Sequence, residues 1–204
     1  MRVKICGITR PGDAQVAAQA GADAVGLVFW AQSKRAVSVA LAQEICRVLP
    51  PFVSAVGLFV NPEPDWVETV VAQVPLDILQ FHGDESPVFC ESWQRPYIKA
   101  LRVESAAQLR ADMARYVSAR ALLLDAVHDG QFGGTGGTFD WEQVPADLAA
   151  KVVLAGGLDA DNVASGIQLL QPCAVDVSSG VESEPGIKDA SKIQRFIQAA
   201  RAAC

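Results

Sequence analysis

A few residues of this chain have the types and spacing to do chemistry on a small anionic substrate. Cys6 stands at the end of VKICGIT, an apolar run halted by Gly7. Side chains alternate along a strand, so Lys4 and Cys6 share a face. A free thiol ionises near pH 8.5, so Cys6 needs a charged neighbour to act as a thiolate near neutrality. Asp125 closes the run ALLLDA, where a carboxyl at the end of a buried strand must be used or paired. Asp125 suits a general acid, or else a structural bond to a loop backbone, and Cys6 suits a buried hydrophobe or a nucleophile if a partner ionises it. Arg35, in FWAQSKRAVS, offers a guanidinium able to clamp a carboxylate with two parallel bonds, or else an ordinary solvated surface charge. AGGLDADN (155–162) and VSSGVESEPG (177–186) are two small-residue loops next to candidate helices. Their backbone N–H groups can approach a phosphate, with Gly156, Gly157, Ser179 and Gly180 as the closest points; alone, each could be a plain turn.

Other assignments fit less well. The chain has two histidines, His82 and His128, and neither position gives Cys6 the oriented base of a nucleophilic triad. Lys4 invites comparison with a Schiff-base lysine, but a buried ion pair is the simpler reading, with Asp176 on the neighbouring strand as partner. The glycine-rich stretch 127–140 lacks the G-K-[ST] ending of a phosphate-binding P-loop and the spacing of the dinucleotide fingerprint. A lid over the site or a plain flexible loop remain for it.

These residues need a scaffold. Eight apolar, β-branched runs recur at 3–8, 24–29, 54–60, 77–82, 97–103, 121–126, 151–156 and 174–179, as strands buried on both faces do. Helical segments alternate with them at 11–21, 38–49, 62–74, 86–93, 104–119, 141–144, 159–171 and 189–201. Ser38, Asp159 and Asp189 are the expected N-caps. This alternation predicts a closed (β/α)8 TIM barrel filling residues 1–204 as a single domain. The alternative, an open doubly wound sheet, lacks its glycine fingerprint after the first strand. In a closed barrel the chemistry gathers where strands run into βα-loops. Cys6, Arg35, His82, Arg102, Asp125, Gly156, Gly157, Ser179 and Gly180 lie at such junctions, and Lys4 lies one layer deeper.

Composition narrows the partners. With 204 residues and a formal net charge of −6, the chain is large enough for one sizeable core and too acidic for a general nucleic-acid binder. Its five cysteines are widely spaced without any C-x-x-C pair, and no run approaches the ~20 apolar residues of a membrane span. A cytoplasmic protein with reduced thiols is expected, and a compact barrel of this size fits a monomer.

KICGIT, GADAVGLVF, SKRAVS, VGLFVN, LQFHGDE, LLLDA, GGTGGTFDW, LAGGLDADNV and VDVSSGVESEPGIKD, in this order, resemble the phosphoribosylanthranilate isomerase family over nearly the whole chain. The resemblance implies a (β/α)8 barrel of tryptophan biosynthesis that performs an Amadori rearrangement of a sugar phosphate, with no metal or organic cofactor. It implies Cys6 as general base, Asp125 as general acid, Arg35 as the anchor of the anthranilate carboxylate, and Gly156, Gly157, Ser179 and Gly180 as phosphate loops. The chain departs from the family pattern at Gly137, where a lysine is common, and before Arg35, where a proline is frequent. Two other functions remain to be weighed. The related isomerase of histidine biosynthesis is expected to use paired aspartates, where strand one here ends in Cys6. A barrel that binds a phosphometabolite without turning it over would leave Cys6 dispensable.

Overall fold

The computed structural model describes residues 1–103, 105–125, 141 and 144–203. Its frame is a ring of eight strands: β1 (Arg2–Ile5), β2 (Ala24–Val28), β3 (Ser54–Phe59), β4 (Ile78–Phe81), β5 (Tyr97–Arg102), β6 (Ala121–Asp125), β7 (Val152–Leu154) and β8 (Ala174–Val177). Each pairs in parallel with the next, and β8 pairs with β1 to close the barrel. The closing register sets Lys4 opposite Asp176 and Ile5 opposite Val177. Each apolar run marked in the sequence coincides with one of these strands; seven strands lie wholly within their runs, and β1 begins one residue before its own, at Arg2.

Seven α-helices cover the outside among the described residues: α1 (Pro11–Ala20), α2 (Val39–Arg47), α3 (Pro64–Gln73), α4 (Pro87–Glu91), α5 (Ala106–Arg115), α6 (Val163–Leu170) and α7 (Ala190–Ala202). Their ends follow from local chemistry. Pro11 opens α1, where a missing N–H costs nothing, and Gly21 closes it in the left-handed region at φ 101°. Ser38 caps α2 by accepting from the Leu41 N–H, and Asp189 caps α7 by accepting from Ser191 and Lys192. Asp159 acts one turn earlier than expected. It accepts from the N–H groups of Asp161 and Asn162 in the turn that leads into α6.

The eighth outer segment differs from the sequence expectation. The helix expected at 141–144 falls partly outside the described residues, and Trp141 and Val144 are joined there by a turn hydrogen bond of 3.1 Å. A 3-10 helix follows over Ala146–Lys151 and runs straight into β7. With Pro145 before it and the strand directly after it, this segment has no room for longer helical turns. A further element was not anticipated. After β8 and a single 3-10 turn at Ser179–Val181, the chain forms a small antiparallel hairpin, β9 (Glu182–Glu184) and β10 (Ile187–Lys188), around Pro185-Gly186.

The strands bury both faces, as their apolar runs require. Outward side chains such as Ile5, Leu27, Phe59, Phe81, Leu124 and Leu154 pack against the helices in the main core. Inside the barrel, Ile98, Ala100, Leu123, Val153 and Ala155 form a second cluster. At the rim, Cys6, Val28, Leu58 and Val60 form a third, with Trp30 against it. No helix among the described residues is long and apolar enough to cross a membrane.

Candidate active site

The inward faces of β1, β4, β6 and β8 bring polar side chains into an otherwise apolar barrel. On the β1–β8 side, Lys4 Nζ donates to Asp176 Oδ1 at 2.9 Å, and both side chains are less than 10% exposed. The lysine lies one layer below Cys6, as strand alternation dictates. A Cβ on Gly26 of β2 would stand 2.7 Å from Cys6 Sγ, so only a glycine leaves the thiol its place. Cys6 is 6% exposed and forms part of the wall of a cleft at the C-terminal mouth, partly open to solvent.

Burial pushes the Cys6 thiol above its ordinary value. The ammonium of Lys4 opposes that rise, Asp176 adds to it, and Lys188 again opposes it. Burial pulls Lys4 down, but Asp176 and the nearby thiol outweigh it and raise the ammonium to about 12. Lys4 is therefore a fixed positive charge below the cleft.

Arg35 lies across the β1–β2 mouth and is already paired. Its Nε donates to Glu182 Oε1 at 2.7 Å and its Nη2 to Glu182 Oε2 at 2.8 Å. Glu182 Oε1 also accepts from Lys188 Nζ at 2.8 Å, and Lys188 reaches the Ser178 carbonyl at 3.0 Å. The hairpin carrying this pair is tied to the start of α1, where Asp13 accepts from the Lys188 N–H. Burial pushes Glu182 up, yet its bond to Arg35 and the charge of Lys188 outweigh that and hold it below the usual carboxylate range. Burial lowers Lys188 more than Glu182 restores it. Glu182 takes the Nε–Nη2 edge of the guanidinium, so the Nη1 end remains to meet a second anion in the cleft that Arg35 helps to line. Among the described residues, three cations (Lys4, Arg35, Lys188) and two carboxylates (Asp176, Glu182) are coupled to Cys6 directly or through one partner. A thiolate would bring that group to neutrality.

Asp125 lines the same cleft from β6, three strands from Cys6 by the shorter way round the ring. Its Oδ2 is 3.2 Å from His82 Nε2, and His82 Nδ1 is 3.0 Å from Gln80 Nε2. On the far edge, Gly156 and Gly157 turn through consecutive left-handed conformations at φ 81° and 62°, which side chains rarely adopt. Asn162 secures the turn by donating to the Gly157 carbonyl at 2.8 Å. Gly156, Gly157, Ser178 and Ser179 all line the cleft. Gly180 is not among the lining residues; a Cβ there would collide with the Leu158 carbonyl, so its smallness lets the loops after β7 and β8 pack together.

The structure thus gathers Cys6, Asp125, Arg35, Gly156, Gly157 and Ser179 at one mouth, with Gly180 directly behind. Sequence reasoning missed Glu182 and Lys188, and gave His82 and Gln80 no role. A signal existed for each. Glu182 and Lys188 flank a Pro-Gly turn, which marks a hairpin. Gln80 and His82 follow Ile78 at alternate positions and must face inward with it. The glycine-rich stretch, with His128 and Gly137, lies outside the described residues.

A closed parallel barrel with a thiol and a carboxyl facing one cleft, and an arginine and backbone turns at its edges, defines a (β/α)8 enzyme of proton transfer on a small anion. The family model described as N-(5'-phosphoribosyl)anthranilate (PRA) isomerase matches residues 3–199. The N-(5'-phosphoribosyl)anthranilate isomerase of Pseudomonas fluorescens is 55% identical over 201 residues, covering 98% of this chain and 96% of that protein. The crystal structure of phosphoribosyl anthranilate isomerase from Thermotoga maritima superposes with a TM-score of 0.91 at 42% identity, covering 99% of each chain. A second such isomerase, solved with reduced 1-(o-carboxyphenylamino)-1-deoxyribulose 5-phosphate, superposes with a TM-score of 0.84 at 39% identity, again over 99% of each chain. The chain belongs to the N-(5'-phosphoribosyl)anthranilate isomerase family. It catalyses the Amadori rearrangement of N-(5-phosphoribosyl)anthranilate to 1-(2-carboxyphenylamino)-1-deoxyribulose 5-phosphate in tryptophan biosynthesis.

Proposed function

We propose that Cys6 is the general base and Asp125 the general acid of this rearrangement. Asp125 gives its proton to the ring oxygen of the sugar as the C1′–O bond breaks, leaving an iminium between the anthranilate nitrogen and C1′. The iminium acidifies the proton on C2′, and the Cys6 thiolate removes it to give an enolamine. A proton then enters at C1′ and one leaves the C2′ hydroxyl, completing the ketone. The observation that carries this reading is the placement of a thiol from β1 and a carboxyl from β6 around one cleft.

Arg35 binds the anthranilate carboxylate with the guanidinium edge that Glu182 leaves open. The turns at Gly156-Gly157 and Ser179-Gly180 bind the phosphate through backbone N–H groups. Holding the substrate at both ends fixes the sugar between acid and base. One chain supplies every group named here, so a monomer suffices for activity. Residues 1–204 act as one barrel domain in the cytoplasm, without nucleic acid, as the acidic composition favours.

The test is turnover of freshly prepared phosphoribosylanthranilate followed by its fluorescence. Replacing Cys6 by Ala is expected to lower kcat by about 10³-fold or more while the reduced product analogue still binds within a few-fold of the native affinity. Full activity of Cys6→Ala would remove Cys6 from the mechanism.

A further inference from the structure

Gln80 is fully buried on β4, in register with Leu58 of β3 and Ile98 of β5, and its side chain lines the cleft from inside the barrel. Its amide nitrogen is 3.0 Å from His82 Nδ1, while its carbonyl oxygen Oε1 is buried with no partner among the described residues. An amide N–H can only donate, so Nδ1 must present a lone pair. The imidazole proton then sits on Nε2, which donates to Asp125 Oδ2 at 3.2 Å.

With Oδ2 already accepting, an acid proton on Asp125 has its place on Oδ1. A reversed Gln80 amide would have the opposite consequence. Oε1 would gain a partner in Nδ1–H, and Nε2 would become an acceptor that draws the Asp125 proton onto Oδ2. The observed arrangement leaves a buried carbonyl unpaired, which proteins ordinarily avoid. That orphan oxygen goes with the tautomer that keeps Oδ1 for the proton.

We propose that Gln80 and His82 are positioning residues for the acid: Gln80 fixes the His82 tautomer from inside the barrel, and His82 thereby decides which oxygen of Asp125 carries the transferable proton. The proposal rests on the reading of Asp125 as the general acid. It deepens that reading by adding two groups of the same cleft that act through Asp125.

The test combines a spectroscopic readout with kinetics. The chain has only two histidines, so 15N-histidine labelling gives a simple spectrum, and His128→Gln assigns it. In the native enzyme, His82 Nδ1 should resonate as an unprotonated ring nitrogen and Nε2 as a protonated one. Gln80→Glu supplies an acceptor in place of the donor and should put a proton on Nδ1. Its kcat should fall by about 10–100-fold, with KM within about threefold, because the acid's contribution is weakened and binding is not. Gln80→Met, which neither donates nor accepts strongly, should fall between native enzyme and Gln80→Glu in kcat. An Nδ1-protonated His82 in the native enzyme would overturn the proposal. So would a folded Gln80→Glu enzyme with native kcat and native nitrogen shifts. Asp125→Asn separates this from failure of the parent reading: native turnover in that variant removes the acid role itself, and the proposal with it.

Discussion

The two sides of the barrel mouth surround the proposed base and the proposed acid by different means. The β1–β8 side is dense with charge: Lys4–Asp176 lies beneath Cys6, and Arg35–Glu182–Lys188 lies beside it. The β4–β6 side presents one carboxyl held by two side chains, His82 and Gln80, in single file. A thiol has no strong orientation to set, so its surroundings act through the field at sulfur. A carboxyl has two oxygens, so its surroundings act through geometry, choosing between them. The base side is therefore expected to respond most to changes in charge, and the acid side to changes in donor and acceptor pattern.

The strongest way to break the charged side is to remove one partner of its deepest pair. Lys4→Met leaves Asp176 uncompensated inside the barrel and should cost about 3–5 kcal/mol of stability, read by urea denaturation. The double variant Lys4→Met/Asp176→Leu should recover most of the loss, because no isolated charge then remains. If the single variant were as stable as the native chain, the pair would not be closing the barrel electrostatically.

Next in size is the pH dependence of the base. Burial raises the Cys6 thiol, so the thiolate is a minority species at neutral pH. The thiolate limb, read as the ultraviolet absorbance of native enzyme minus that of Cys6→Ala, should rise only above the ordinary thiol value of about 8.5; kcat/KM does not trace it directly, because the same rise in pH removes the proton the acid must carry. Lys188 opposes the rise of Cys6. Lys188→Met should therefore move the limb to higher pH, and a limb that stays put would show that Lys188 does not reach the sulfur.

The smallest effect concerns Arg35. Glu182→Gln keeps one acceptor for the guanidinium and loses the paired bonds, so Arg35 is less firmly aimed. KM should rise by about three- to tenfold with kcat within a factor of two, since substrate binding and transition-state binding weaken together. A fall in kcat at unchanged KM would instead place Glu182 in the chemistry of Cys6.

The strand order was legible because each barrel strand is buried on both faces and leaves a continuous apolar run. Even the Lys4–Asp176 pair could be read ahead, since closure makes β8 the neighbour of β1 and alternation turns both residues inward. The remaining features depend on contacts with no local period. Glu182 meets Arg35 across 147 positions of sequence, through a hairpin of three- and two-residue strands too short to show alternation. His82 meets Asp125 past an intervening strand, which depends on rotamers rather than on pairing register. The segment before β7 is 3-10 rather than α because its flanks leave only six residues, a constraint of connection length. Gly180 read as a phosphate contact because smallness next to a serine pair has two explanations. The structure shows one of them, close packing against Leu158 where a Cβ would collide, which leaves the backbone N–H free to serve the other.

The lysine beneath the thiol finds its carboxylate 172 residues later in the chain. At a synthesis rate of about 5–20 residues per second, Lys4 and Cys6 are made roughly 9–34 seconds before Asp176. Throughout that interval the nascent chain carries a base without its field and an open wall. The pairing that completes the ring is also the event that brings the reactive sulfur under control. The proposed site is therefore complete only after β8 has closed the ring and the hairpin behind it has brought Glu182 and Lys188 to Arg35.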